Sequence, residues 1–379
     1  MRLVPLLLLF ACNGSTEPDE TGDPAPDTCH GDPGDADRVR KLVHATPFDD
    51  SGAQSGGYQV CSVDPADPGL VCDPADRFEM GRAFMTEIVF SPDGVLGAVA
   101  QDDGTVGLFS LQGDTVQVVH ADFGAGLGSF YATQVVWDED GEALWVVDGN
   151  WRENGGGLYK LSVDCDGTLT DLGLVVAAKQ PMGLTIDGDR AFVAARDLGD
   201  SADGDNAHLI ALDGSNLASG PAFPDDEASV AHAVWTDDRA FALVSDNSMF
   251  SGLPNRVSVV ATGEASVGEG VVVDVPDPVW MTPSTFDDGV LISSGFENDL
   301  VWLPRNADSW GTPNVIASSP LAGAHARLTR GVGSGLVVVA ENTGVHFLRF
   351  DGAGGLDDLG TDSTGTTTGS VVGAIGMQP

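Results

Sequence analysis

Two histidines in matched settings, Ala231-His232-Ala233 and Ala324-His325-Ala326, are the residues best placed to do chemistry. Each opens an apolar, strand-like segment that runs into a polar turn. Aligning the other such segments by that turn brings Glu87, Gln134, Gly183 and Pro283 into the same register. Two imidazoles and a carboxylate at one level make a divalent-metal set, with Glu87, His232 and His325 as ligands. The competing reading of the same residues is polarity in a water-filled channel, or imidazoles packed between neighbouring elements. A second register falls one strand later, at Thr46, Gln101, Asp148, Arg196, Asp246, Gly295 and Glu341, with Asn247 and Asn342 next along. Carboxylate and amide oxygens suit Ca²⁺ or Mg²⁺. A carboxylate beside a metal also acts as general base on a bound water. Against this stands an ion-paired rim around Arg196, with strand-end aspartates capping turns. Any cofactor is then one divalent cation, Ca²⁺ or Zn²⁺.

Other signals are weaker. The Asp/Gly-rich run from Asp197 to Asn206 misses the EF-hand spacing and has no closing Glu, so it reads as a solvated loop. Trp151, Met249 and Phe250 fall in long loops, where they either grip a ligand or fold back. There is no Gly-x-Ser-x-Gly elbow, phosphate loop, His-Glu-x-x-His or CxxC cluster.

The elements that must position these residues are short strands. A strand–turn–strand unit, clearest in TEIVFSPDGVLGAVAQDDGTVGLFSL from Thr86 to Leu111, recurs about every fifty residues with no helical period between copies. That predicts an all-β, seven-bladed β-propeller with strands a to d running outward from the axis. Two ends are left over. The segment from Val39 has strands b and c but no strand a, and the terminal SVVGAIGMQP has a strand-a pattern with nothing after it. Placing the C-terminal strand in the first blade closes the ring and removes both loose edges. The b–c connections PFDDSGAQSGG, GNWRENGGG, RDLGDSADGDN and SDNSMFSGLPN are long and polar, whereas QDDG and GFEND are short. Strand starts from different blades meet only at the axis, so both registers surround the channel mouth on this long-loop face.

The ends assign an address. Arg2 followed by LVPLLLLFA is too short to span a bilayer and reads as a secretory signal over 1–11, ending on Leu9-Phe10-Ala11-Cys12 like a bacterial lipobox. Cys12 would be acylated, and Asn13 in place of Asp favours the outer membrane. Residues 12–37 form an aperiodic acidic tether, and 38–379 the propeller. With Cys12 lipidated, Cys29, Cys61, Cys72 and Cys165 allow two disulfides. Cys61 and Cys72 lie on successive strands of one blade, which leaves Cys29 for Cys165. Asp and Glu number 57 against 17 Lys and Arg, a net charge of -40, so there is no basic footprint for nucleic acid.

FSPDG, with looser copies WDEDG, WTDDR and TFDDG, resembles the repeats of bacterial YVTN and lactonase-type propellers, over about Val39 to Pro379. The resemblance implies an exported or lipid-anchored seven-bladed propeller. Gluconolactonase-like members hold a divalent cation at the channel mouth with Glu, Asn and Asp, which would put Glu87, Asp148, Asp246 and Asn342 in comparable places. Two functions follow. One is a monomeric membrane-anchored module that binds a small ligand, a glycan or an envelope protein. The other is a metal-dependent lactonase-like hydrolase.

Overall fold

The computed structural model describes residues 38–48, 54–81, 88–101, 103–113, 115–124, 131–149, 156–202, 204–223, 230–246, 256–275, 282–286, 288–293, 299–306, 309–318, 328–330, 335–340, 344–351, 354–363 and 374–379. These residues form seven antiparallel sheets of four or five strands. The chain is a seven-bladed β-propeller.

In blades 2 to 7 the four strands follow in chain order. Blade 2 is Ile88–Phe90, Leu96–Ala100, Val106–Gln112 and Thr115–Phe123. Blade 3 is Ala132–Trp137, Ala143–Asp148, Gly157–Val163 and Leu169–Lys179. Blade 4 is Gly183–Asp187, Arg190–Ala194, Ala207–Ala211 and Asn216–Gly220. Blade 5 is Val230–Trp235, Phe241–Asp246, Arg256–Gly263 and Val271–Val273, with Ser266–Val267 beside the last. Blade 6 is Thr282–Phe286, Gly289–Ser293, Asp299–Asn306 and Asn314–Ser318, with Ser309–Trp310. Blade 7 is Leu328–Arg330, Leu336–Ala340, Gly344–Phe350 and Leu356–Ser363.

Blade 1 is the composite one. Its strands b, c and d are Arg40–Phe48, Gln54–Val63 and Val71–Glu79, and its innermost strand is Ile375–Met377 from the other end of the chain. Leu42, Val43 and His44 pair with Met377, Gly376 and Ile375. The closing strand is short, but its surroundings hold it. Gln378 exchanges backbone and side-chain bonds with Lys41 and donates to the Gly94 carbonyl of blade 2 at 2.6 Å. Arg40, fully buried, donates to the Gln378 carbonyl at 2.9 Å. Only glycine fits at 376, because a Cβ there would lie 2.1 Å from the Ile88 carbonyl oxygen.

Burial follows from the ring. Strand b is covered on both faces by adjacent blades, so it reads as a continuous apolar run, buried throughout in Leu96–Ala100, Ala143–Asp148 and Leu336–Ala340. Strand d lies at the rim and alternates, as in Thr115–Phe123. Among the described residues the apolar core is divided into seven clusters, one for every pair of adjacent blades, including blade 7 against blade 1 through Leu42, Val338, Phe347 and Ile375.

Cys61 and Cys72 are cross-strand partners in blade 1 and form a disulfide, Cα atoms 4.2 Å apart, as their spacing predicted. It secures an outer strand that exposes most of its side chains and contains Pro74. Cys165 is also disulfide-bonded, to a sulfur outside the described residues.

Two expected boundaries move. The first b–c connection is shorter than its sequence suggests, because Thr46 pairs with Gly57 and Phe48 with Gln54, leaving only 49–53 as loop. The outer strand of blade 4 ends at Gly220, and beyond it the Phe223 ring is buried against blade 5. The Asp-rich run after Arg196 is not wholly a solvated loop: Asp197–Leu198 pairs with the end of blade 3's outer strand. Leu198 is fully buried there, and Lys179 bonds Asp197 at 2.7 Å.

Candidate functional site at the loop face

An antiparallel meander puts the a–b and c–d turns on one face of the ring and the b–c and d–a connections on the other; these are the turn face and the loop face. The candidate residues stand at the loop-face ends of strands a and b. Glu87, His325, Glu341, Asn342, Asn247 and Gly295 lie outside the described residues, as do Trp151, Met249 and Phe250. Gln134, Asp148, Arg196, His232 and Asp246 are described.

Blades 3 and 5 share one register. Gln134 faces Val147 across the ladder and His232 faces Ser245, with Asp148 and Asp246 one residue further along. Both strand a segments carry a bulge at the same place, between Ala132 and Gln134 and between Val230 and His232. Blade 4 differs: Gly183 pairs with Ala194, so Ala195 follows where the other blades have Asp, and Arg196 is one position further out. One step along a strand turns a side chain to the opposite face. Arg196 is accordingly exposed, and its amide bonds the Lys179 carbonyl at 2.9 Å.

Gln134, Asp148, Asp246, His232 and Gln101 each have a partner within the protein. Gln134 bridges to the next blade, its amide oxygen accepting from the Leu184 amide at 2.9 Å and its amide nitrogen donating to the Leu184 carbonyl at 3.2 Å. Asp148 is buried and accepts from the Tyr131 amide at 2.9 Å. Asp246, also buried, pairs with Arg256 on the neighbouring strand at 2.6 Å, and that guanidinium lies over the Phe223 ring at 4.8 Å. Half-buried His232 donates its amide to Ser245 Oγ at 3.1 Å. Gln101 donates to Thr105 Oγ1 and to the Ala121 carbonyl. The aspartate at the end of strand b therefore finds its guanidinium in Arg256 of its own blade, not in Arg196. Arg256 opens strand c directly after a long loop, so only the ladder register locates it opposite Asp246.

The strongly perturbed imidazoles lie elsewhere. His208, on strand c of blade 4, has Nε2 against the Ala195 carbonyl and Nδ1 against Ser219 Oγ, each at 3.3 Å, which a neutral ring protonated on Nε2 satisfies. Burial lowers its pKa to about 4, and does the same to His44 on strand b of blade 1. These two are histidines packed within and between blades. Among the described residues no group of three His, Cys, Asp or Glu side chains is arranged to hold a metal ion.

The same architecture recurs in solved structures. A protein from Lactobacillus plantarum matches 90% of this chain and 100% of its own length at a TM-score of 0.66 and 13% identity. A Bacteroides fragilis protein provisionally named a 6-phosphogluconolactonase matches 91% and 99% at 0.64 and 11% identity. A Bacteroides uniformis protein with the same provisional name matches 89% and 99% at 0.63 and 11%. The chain shares its β-propeller fold with these proteins. At these identities the likeness covers the fold alone. No protein-family model and no curated protein matches the chain.

Proposed function

We propose that the chain is an exported lipoprotein, anchored to the outer membrane through acylated Cys12, whose propeller binds a ligand through its loop face. The observation that carries this reading is the asymmetry of the connections. On the turn face, strands a and b are joined by as little as 188–189 and 287–288. On the loop face, strands b and c are joined by 195–206 and 247–255. Closing a strand pair needs only a few residues, so length concentrated on one face serves something other than folding. The described strand-end groups beneath those loops are held by backbone and salt-bridge contacts, which makes a rigid base for a binding surface. A net charge of -40 disfavours anionic ligands and suits a neutral glycan or a cationic segment of an envelope protein.

A second reading is a metal-dependent lactonase-like hydrolase at the channel mouth, favoured by the provisional names of the Bacteroides structures and by the matched Asp148 and Asp246. A phosphorylated sugar lactone is a poor substrate for so acidic a chain. Elemental analysis of purified protein with an assay on glucono-lactone separates the two. Binding predicts no stoichiometric divalent ion and no hydrolysis, whereas one ion per chain with turnover establishes the enzyme. For the anchor, Cys12→Ser should move a membrane-associated protein into the soluble exported fraction. Wild type already soluble would sink that half of the proposal.

A further inference from the structure

We propose that a Cys29–Cys165 disulfide staples the N-terminal tether to the turn face, so that this face looks toward the membrane and the loop face away from it; the orientation rests on the anchor proposed above. Cys165 is exposed at the c–d turn of blade 3, held by the Asp164–Thr168 and Gly167–Asp164 backbone bonds, and it is disulfide-bonded. Cys61 and Cys72 are bonded to each other, so with five cysteines in the chain the remaining sulfurs are those of Cys12 and Cys29. An acylated Cys12 carries its lipid as a thioether and has no thiol to oxidise. Joining Cys29 and Cys165 releases two protons and two electrons to a disulfide oxidant of the exporting compartment, the same class of oxidant that closes Cys61–Cys72.

The two ends to be joined lie on one face and flank one turn. Strand b of blade 1 starts at Arg40, on the turn face, and the chain enters through Arg38. A Cβ on Gly94, in the a–b turn of blade 2, would lie 3.3 Å from Arg38 Nη2. A Cβ on Gly167, beside Cys165, would lie 3.4 Å from Leu96 Cδ2 at the end of that same turn. The Leu169 amide also donates to His120 Nε2 of blade 2 at 3.3 Å, which fixes the Cys165 turn against that blade. An extended chain covers ~3.3–3.6 Å per residue, so the run from Cys29 to Arg38 reaches up to ~30 Å, ample for two points on either side of one turn. The staple shortens the free leash from about 28 Å to about 23 Å in root-mean-square length and moves its origin to the turn face between blades 2 and 3. The loop face then looks away from the bilayer, toward a partner that is not the anchoring membrane.

The test uses the full acylated chain. Non-reducing peptide mapping should link the Cys29 peptide to the Cys165 peptide; a Cys12–Cys165 link, or free thiols at both Cys29 and Cys165, overturns the staple. For orientation, a fluorescent amino acid is placed at Asp140 on the turn face or Asp200 on the loop face, both exposed, and the protein is bound to phosphatidylcholine vesicles bearing a headgroup quencher. The Asp140 probe should be quenched at least twofold more than the Asp200 probe, and the combined Cys29→Ser and Cys165→Ser variant should narrow that ratio. Equal quenching with the link mapped overturns the orientation while the anchor stands. Protein that does not float with the vesicles overturns the anchor and the orientation together, leaving the mapped link to be judged separately.

Discussion

The two faces of this propeller are built from similar residues put to different ends. On the turn face, aspartates serve the backbone and the neighbouring blade. Asp93 accepts from the Val95 amide, Asp138 from Glu142 and Ala143, and Asp213 from Ser215. Asp187 and Asp238 pair with Arg239 and Arg305 of the next blade, and Glu139 accepts from the Gly188 amide at 2.8 Å. On the loop face, Asp148 and Asp246 are buried at strand ends beneath long connections. An acidic composition is thus not one property. Part of it stabilises turns and blade contacts at the surface, and part is buried at strand ends, where Asp148 accepts from a backbone amide and Asp246 pairs with Arg256.

The strongest way to break the comparison is to open the ring on which both faces depend. Deleting Ile375–Pro379 removes strand a of blade 1 and the buried Ile375 and Met377, and strands Arg40 beside an empty edge. At roughly 1.5–3 kcal/mol per buried apolar side chain the two together should cost about 3–6 kcal/mol. Denaturant unfolding would show a lower midpoint or loss of the single transition. An unchanged midpoint would mean that the closing strand does not hold the ring.

The next largest effect separates structure from function on the loop face. Asp246→Ala leaves Arg256 facing a buried site without that carboxylate and should cost about 3 kcal/mol. Asp148→Ala removes an acceptor for one amide and should cost about 1–2 kcal/mol. If Asp246 acts only on the blade, introducing Leu at both 246 and 256 should recover much of the stability and leave ligand binding intact. Recovery of stability with loss of binding would place Asp246 in the site.

Acid should weaken the protein through two histidines that belong to neither face. His44 and His208 are held near pKa 4, below the ordinary value of 6.5. Between those values the unfolded chain binds protons that the folded chain does not, so stability is full above about pH 6.5 and falls as pH drops toward 4. Each ring contributes on the order of 2–3 kcal/mol to the loss. Replacing His208 with Gln should flatten the midpoint-versus-pH curve over this window, and an unaltered slope would exclude it as a source.

The blade count and the ring closure were legible because each rests on a pattern that one residue type cannot fake. Strand b is an apolar run, the turns carry Asp and Gly, and the terminal strand matched the one blade that lacked it. The Cys61–Cys72 pair was legible from adjacent strands. The candidate site was legible only as a register, which the ladders reproduce for Gln134 with His232 and for Asp148 with Asp246. What each side chain holds was not legible. Gln134 reaches the Leu184 backbone across a blade boundary, a contact between residues whose spacing carries no local signal. Arg196 slipped by one position because blade 4 has a shorter a–b turn, and in a strand one position reverses the side chain.

The smallest expected effect lies on the turn face and tests what its ion pairs contribute. Arg239 makes two contacts with Asp187 while adopting φ +57°, a left-handed conformation that costs a side-chain-bearing residue about 1 kcal/mol. Both side chains are about one-third exposed, so the pair is screened and contributes roughly 0.5–1 kcal/mol. These magnitudes nearly cancel. Arg239→Gly relieves the backbone while losing the pair, and should fall within ~0.5 kcal/mol of wild type. Arg239→Ala loses the pair and keeps the strain, and should cost about 1 kcal/mol. Raising the salt should narrow the gap between wild type and Arg239→Ala, since screening removes only the ionic part. A gap insensitive to salt would show that Arg239 works through its packed stem against the blade 4 turn, and the turn face would then owe its order to contact and not to charge.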